Sequence, residues 1–233
     1  MGKRLSISVN PNTYLRNPEE TELGRKIIKH GIELMSETGY QCFNFKSLAQ
    51  HMNSTEASMY RYFENKYMLL MYLTSWYWEY LDLQIMLNTR NIDGPVRKLR
   101  ITVKTIVDGV DEYFSQDYVN VRKLHRIVVE QSTKVTHSRK VEACEKAGMF
   151  SNYKNLNNNI SDIILECDPA FKYPTALATN IIKLAMDHKY YAEHICSLTE
   201  ITKCMETRQQ QIQEMIMYFL ERLLGIETSQ SVD

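Results

Sequence analysis

The sequence predicts an all-α fold of about nine helices: an N-terminal three-helix domain of the helix-turn-helix kind, then a C-terminal helical bundle. Three observations carry this. Gly and Pro are scarce, at 8 and 5 in 233 residues, so few positions interrupt a helix, while Leu, Ile, Met, Lys, Glu and Gln are plentiful. The hydrophobic share, 44%, suffices for a core and argues against global disorder. Residues 39–70, reading GYQCFNFKSLAQHMNSTEASMYRYFENKYMLL, hold two short helical patterns separated by a tight break.

Residues 1–17 carry Asn, Pro and Ser with little periodicity. They read as a mobile arm, either a plain disordered tail or one whose Lys3, Arg4 and Arg16 reach DNA phosphates or a minor groove. The first helix spans about Pro18 to Thr38. Pro and two glutamates suit its positive end, and Leu23, Ile27, Ile28, Ile32, Leu34 and Met35 form its apolar side. Gly39 ends it, because the residue after a helix favours a left-handed backbone.

The second helix starts at Asn44, a good N-cap, and Phe45, Leu48, Ala49 and Met52 fall on one face. Asn53-Ser54 makes the turn, since Asn tolerates the left-handed conformation best after Gly. Thr55 caps a third helix bearing Ala57, Met59, Tyr60 and Phe63. Two short helices joined this way form a helix-turn-helix, whose second helix enters the DNA major groove.

Here the resemblance to a family becomes specific. The stretch resembles the DNA-binding segment of the tetracycline-repressor (TetR-like) family of bacterial regulators. The pattern is carried by Gly39-Tyr40, Leu48-Ala49, the turn Asn53-Ser54, Met59-Tyr60-Arg61-Tyr62-Phe63, Lys66 and Leu69, with no insertion. Phe43 stands where a small hydroxyl residue is usual, and Asn53-Ser54 replaces the usual Gly-Val. The resemblance covers about the first 70 residues. It implies a regulator, most simply a repressor that binds a near-palindromic double-stranded operator as a homodimer and is released by a small-molecule effector.

The candidate DNA-binding residues are Asn44, Lys46, Thr55, Glu56, Ala57, Ser58, Tyr60, Arg61, Tyr62 and Lys66. Arg61 pairs with guanine or with a phosphate; Ser58 and Thr55 donate to phosphate or base edges; Ala57 meets a thymine methyl. Glu56 accepts from cytosine or only complements the helix N-terminus. By resemblance, Tyr60 and Tyr62 offer hydroxyls to the DNA backbone and Lys66 meets a phosphate; core packing is the other reading of the two tyrosines.

The next helix runs from about Lys66 to Asn88 and is apolar on more than one side, so it lies between other helices. By resemblance, it joins the DNA-binding part to the body. Its Tyr72, Trp76, Tyr77 and Tyr80 either line an effector pocket or fill ordinary core. Asn91 to Pro95 is a break. Helices follow over about Pro95–Phe114 and Asp117–Gln131. Between Thr133 and Asn159 the pattern is patchy, and the Asn-rich run Asn155–Asn159 reads as a kink or loop before Ile160–Glu166. The last two helices span Thr175–Ser197 and Glu200–Leu224, with Gly225 as the stop. By resemblance they meet their symmetry mates, through Ile181, Ala185, Ile212, Met215, Ile216, Phe219 and Leu223; otherwise they complete the chain's own core.

The domains expected are 1–66 for DNA binding, 67–226 for effector binding and dimerisation, and 227–233 as a tail. Net charge is zero, and residues 1–66 carry nine Lys+Arg against seven Asp+Glu, so the motif and not the charge supports DNA binding. Five scattered cysteines without a Cys-x-x-Cys pair read as reduced, mostly buried cytosolic thiols. No signal-length or membrane-length apolar run is found, so a cytoplasmic protein without membrane partners is expected.

An enzyme is not expected: phosphate loops, nucleophile elbows and His-Glu-x-x-His motifs are lacking. No cofactor is expected, and no metal, since His188, His194 and Cys196 have the wrong spacing for one compact site. The competing reading is a helical ligand-binding or protein-interaction domain with a motif that no longer binds DNA. Twelve methionines suit an adaptable apolar cavity, or a plain core.

Overall fold

A computed structural model describes residues 7–109 and 117–226. Among them are ten α-helices and no strand. These are α1 (Glu22–Cys42), α2 (Phe45–His51), α3 (Glu56–Tyr60), α4 (Lys66–Thr89), α5 (Pro95–Asp108), α6 (Val121–Thr136), α7 (Val141–Lys146), α8 (Ser151–Cys167), α9 (Pro174–His194) and α10 (Met205–Leu224). The chain divides into two compact units, Met1–Tyr80 with Val110–Lys154, and Leu81–Gly109 with Asn155–Asp233.

The first unit is built around α1 and the first fifteen residues of α4. Ile27, Ile28, Ile32 and Met35 of α1 are buried, as are Leu69 to Trp78 of α4. Pro18–Glu20 is a 3-10 turn, separated from α1 by Thr21, whose hydroxyl accepts from the Gly24 N–H at 3.0 Å. Gly39 interrupts the end of α1 at φ 75°, ψ 156°, the positive-φ geometry expected of it, and the chain makes one more helical turn to Cys42.

The expected mobile arm is corrected from residue 7 onward. Ile7, Val9 and Thr13 are buried, and the side-chain amides of Asn10 and Asn12 each donate at 2.8 Å, to the Gly148 and Ala147 carbonyls. Their partners lie some 135 residues away, so nothing local announced them. Lys3 and Arg4 lie outside the described residues, whereas Arg16 is exposed with its guanidinium 5.6 Å from the Tyr62 ring.

In the second unit, α9 and α10 pack on α5, burying Leu99, Val103, Ile106 and Val107 of α5 against a core that includes Ile181, Ile182, Ala185, Ile212, Ile216 and Leu220. Arg100 pairs with Glu221 at 3.0 Å, and Gln213 donates to Asp108 at 2.9 Å. The helix expected to reach Phe114 stops at Asp108, because Gly109 takes the left-handed conformation at φ 67°; 110–116 lie outside the described residues. The next helix begins at Val121 instead of Asp117, where Asn120 accepts from the Lys123 N–H. The Asn-rich run is helix, not loop. Asn152 donates to Ser8 O and Glu79, Asn159 to Asp82, and Asn157 pairs with Thr179, while Leu156, Ile160 and Ile164 are buried beneath.

All five cysteines are free, but only Cys144 is buried. Cys42 and Cys167 are the last residues of α1 and α8, and Cys204 precedes α10, so their exposure follows from their places at helix ends. Among the described residues, no helix is long and apolar enough to cross a membrane.

Candidate DNA-binding surface

The motif is assembled by local hydrogen bonds that the sequence makes available. Asn44 caps α2, its side-chain oxygen accepting from the Ser47 N–H at 2.8 Å. The turn closes with Asn53 at φ 50°, its N–H on Gln50 O, and with the Ser54 N–H on Ala49 O at 2.8 Å. Thr55 stands at the N-cap of α3 without a side-chain cap; its hydroxyl bonds that of Ser58 at 2.9 Å. Beneath, Phe43, Phe45, Leu48, Met59 and Phe63 are buried.

The outer side of this unit is polar. Asn44, Lys46, Thr55, Glu56, Ala57, Tyr60 and Arg61 are exposed. Tyr60 packs its ring edge-on against Phe45 at 5.1 Å and donates to Glu56. Arg61 reaches the Ser58 hydroxyl at 3.4 Å, which leaves most of its guanidinium donors open.

Three expected residues are placed differently. Ser58 is buried, its hydroxyl held between Thr55 and Arg61. Tyr62 is 2% exposed, with its hydroxyl 2.7 Å from Thr21 Oγ1 and its carbonyl accepting from the Leu15 N–H. It anchors the N-terminal segment to the motif. The Lys66 ammonium donates to the carbonyls of Tyr40, Gln41 and Phe43 at 3.1, 3.3 and 2.8 Å. A cation on the orphan carbonyls of a helix end is a C-terminal cap supplied by another helix, so Lys66 fixes the approach of α1 to α2. Thr21 and Leu15, which hold Tyr62, carried no signal beyond the capping preference of threonine.

The aromatic residues expected at an effector pocket are core residues of the first unit. Tyr72, Trp76, Tyr77 and Tyr80 are each at most 1% exposed. Tyr72 and Trp76 both donate to Glu19 at 3.0 Å, Trp76 stacks on Tyr80 at 5.6 Å, and the Tyr77 hydroxyl lies 2.6 Å from His125 Nδ1. Burial, and then the Glu19 carboxylate, push the Tyr72 hydroxyl well above its ordinary pKa; burial alone is the main cause for Tyr77. The hub that sequence reasoning missed is Glu19, a carboxylate that receives two aromatic donors. In the second unit, Gln84 is 2% exposed and both its amide atoms lack a hydrogen-bond partner among the described residues.

Of the residues expected between two copies, Ile181, Ala185, Ile212 and Ile216 are instead buried in the second unit's own core. Their helices α9 and α10 pack on each other and on α5, a pairing that sequence reasoning did not make. Met215 is half-buried, and Phe219 and Leu223 are exposed beside Tyr218.

Residues 27–73 match the model of the family described as bacterial regulatory proteins, tetR family. No curated protein matches the chain. Among solved structures, a bacterial regulatory protein in the tetR family from Rhodococcus is 14% identical, with a TM-score of 0.59 over 88% of this chain and 97% of that one. FadR of Bacillus halodurans, a fatty acid degradation regulator, is 14% identical, with a TM-score of 0.58 over 90% and 98%. AibR, solved with isovaleryl coenzyme A and operator DNA, is 16% identical, with a TM-score of 0.57 over 87% and 98%. At these identities the likeness to the solved structures is one of fold.

Proposed function

We propose, from the premise that this chain is a TetR-family transcriptional regulator with an N-terminal helix-turn-helix domain, that it is a repressor of a near-palindromic operator, binding as a homodimer and released by a small molecule. The observation that carries the reading is the sidedness of α2 and α3. Leu48, Met59 and Phe63 are buried, while Lys46, Thr55, Ala57 and Arg61 are exposed. A lysine and an arginine there supply phosphate and base-edge donors, and Thr55 with Ala57 suits base edges and thymine methyls.

Division by function follows the same reading: 1–66 binds DNA, 67–226 binds effector and dimerises, and 227–233 is a tail. The effector site belongs in the second unit around Gln84, whose buried amide has no partner among the described residues, a costly state that a ligand would relieve. That AibR binds an acyl coenzyme A together with operator DNA supports pairing the two ligand types. An effector releases the DNA only by preferring a subunit geometry that mismatches the groove. The protein works in the cytoplasm, where the DNA is, and it needs no catalytic group.

Fluorescence anisotropy against the chain's own upstream intergenic DNA and a scrambled duplex, at several salt concentrations, tests the reading. Specific binding with a log–log salt slope of several units is expected. Equal or absent binding on both duplexes, and failure in random-sequence selection, would leave a helical ligand-binding domain.

A further inference from the structure

The geometry points to a divalent transition-metal site formed by His30, Glu33 and His51, joining the supporting helix to the first helix of the motif. His30 and Glu33 lie three residues apart on α1, so they share a face. His51 is the last residue of α2. His30 Nδ1 is 2.9 Å from Glu33 Oε2, and His51 Nε2 is 3.9 Å from the same oxygen. One ligand atom from each of the three residues lies within 4.8 Å of the others.

The chemistry selects the metal. Two imidazole nitrogens and one carboxylate oxygen suit Zn²⁺ and its neighbours Co²⁺, Ni²⁺ and Cu²⁺, whereas Mg²⁺ and Ca²⁺ require oxygen donors. Metal–ligand bonds of about 2.0–2.1 Å in a tetrahedron set the donors roughly 3.3 Å apart. The two separations from the Glu33 oxygen, 2.9 and 3.9 Å, bracket that value, and the three donor atoms lie within 4.8 Å of one another, so closing on an ion calls for side-chain rotation and no rearrangement of the helices. Three protein donors leave the fourth position to water, as in other His₂Glu sites.

An ordinary His–Glu ion pair within α1 accounts for the shorter distance alone. It does not account for a second imidazole from another helix with its Nε2 3.9 Å from the same carboxylate oxygen and the two rings edge-to-face at 5.2 Å. Nor does it satisfy His30 Nδ1, which is buried and close to Glu33 but without an aligned hydrogen bond among the described residues. A metal ion answers both features at once. All three side chains retain some exposure, 29, 27 and 36%, so an ion has a path in. His51 stands 18 positions after Glu33 and 21 after His30, and only the packing of α2 on α1 brings them together. That is why the spacing of the histidines alone suggested no site.

The test uses the full chain, stripped with a chelator and titrated with Zn²⁺ by calorimetry and with Co²⁺ by visible absorption. One equivalent is expected at this site, with the d–d bands of a four-coordinate Co²⁺ and a rise in Tm. His51→Gln and Glu33→Gln, both at partly exposed positions and checked for helix content, are each expected to weaken that binding by about 100-fold or more, since even outer-shell changes cost 10–100-fold. Absence of Zn²⁺ uptake by the wild type overturns the proposal, as does uptake with unchanged affinity in either variant, which would place the metal on other histidines or thiols. Neither result bears on DNA recognition, because the titration is made without DNA.

Discussion

A methyl group has no room at Gly24. A Cβ built there would lie 2.2 Å from the Pro18 carbonyl oxygen and 2.5 Å from Pro18 Cα. Both are backbone atoms, so neither can swing aside as a side-chain tip would. Two opposed effects decide the outcome of Gly24→Ala. Helix propensity favours alanine by about 1 kcal/mol. Overpacking against a fixed backbone costs about 1–3 kcal/mol, and at 2.2 Å the cost belongs at the upper end. We expect a net loss of about 1–2 kcal/mol in urea unfolding. A variant as stable as the wild type would mean that the Pro18–Glu20 turn does not lie against α1 as described. The same turn presents Glu19 to Tyr72 and Trp76, so the variant should also perturb tryptophan fluorescence.

At the scale of the element, α2 and α3 offer two kinds of donor to the proposed DNA contact. Lys46 is an exposed point charge near the start of α2, and Arg61 is an exposed planar fork just beyond α3. In anisotropy titrations, Lys46→Ala is expected to weaken all sequences alike and to lower the salt slope by about 1. Arg61→Ala, if the fork reads a guanine, is expected to cost about 1–3 kcal/mol on the operator and little on a scrambled duplex. Equal losses on both duplexes would assign Arg61 to a phosphate instead. The sequence was readable here because the forces are local. Asn44 and Asn53 act within three residues of themselves, through a cap and a left-handed turn, and the turn came out as the residue types required. The burial of Tyr62 was not readable, since its partner Thr21 is 41 residues away. Distance also hid the helical state of Asn155–Asn159: asparagine is a poor helix former until Thr179 and Asp82 engage its amides. Gly109 shows the reverse error, a local stop overlooked because the valine after it continued the apolar pattern.

For the whole molecule, the proposed half-site reader would need a second copy, and α10 carries an exposed apolar surface that could meet one. Tyr218, Phe219 and Leu223 are 56, 41 and 57% exposed, although Ile216 and Leu220 of the same helix are buried in the second unit. The Tyr218 and Phe219 rings are 6.0 Å apart, and Arg222 stands 5.5 Å from the Tyr218 ring, so the patch is contiguous and rimmed by charge. The core residues first assigned to the interface are already buried within the chain, so the proposed pairing would fall to this outer stripe. Reading a near-palindrome would require the two α3 helices of such a pair to stand about one DNA turn apart, roughly 34–36 Å. The double variant Phe219→Asp, Leu223→Asp changes side chains already in water, so its Tm should stay near that of the wild type once dilution is allowed for. In sedimentation velocity the wild type is expected as a dimer and the variant as a monomer. Operator affinity should then fall by roughly 100-fold or more, because a linked second site raises avidity by 10²–10⁴. A variant that remains dimeric would move the interface off this stripe of α10. A monomer that keeps full operator affinity would instead break the link between two-fold symmetry and recognition on which the repressor reading depends.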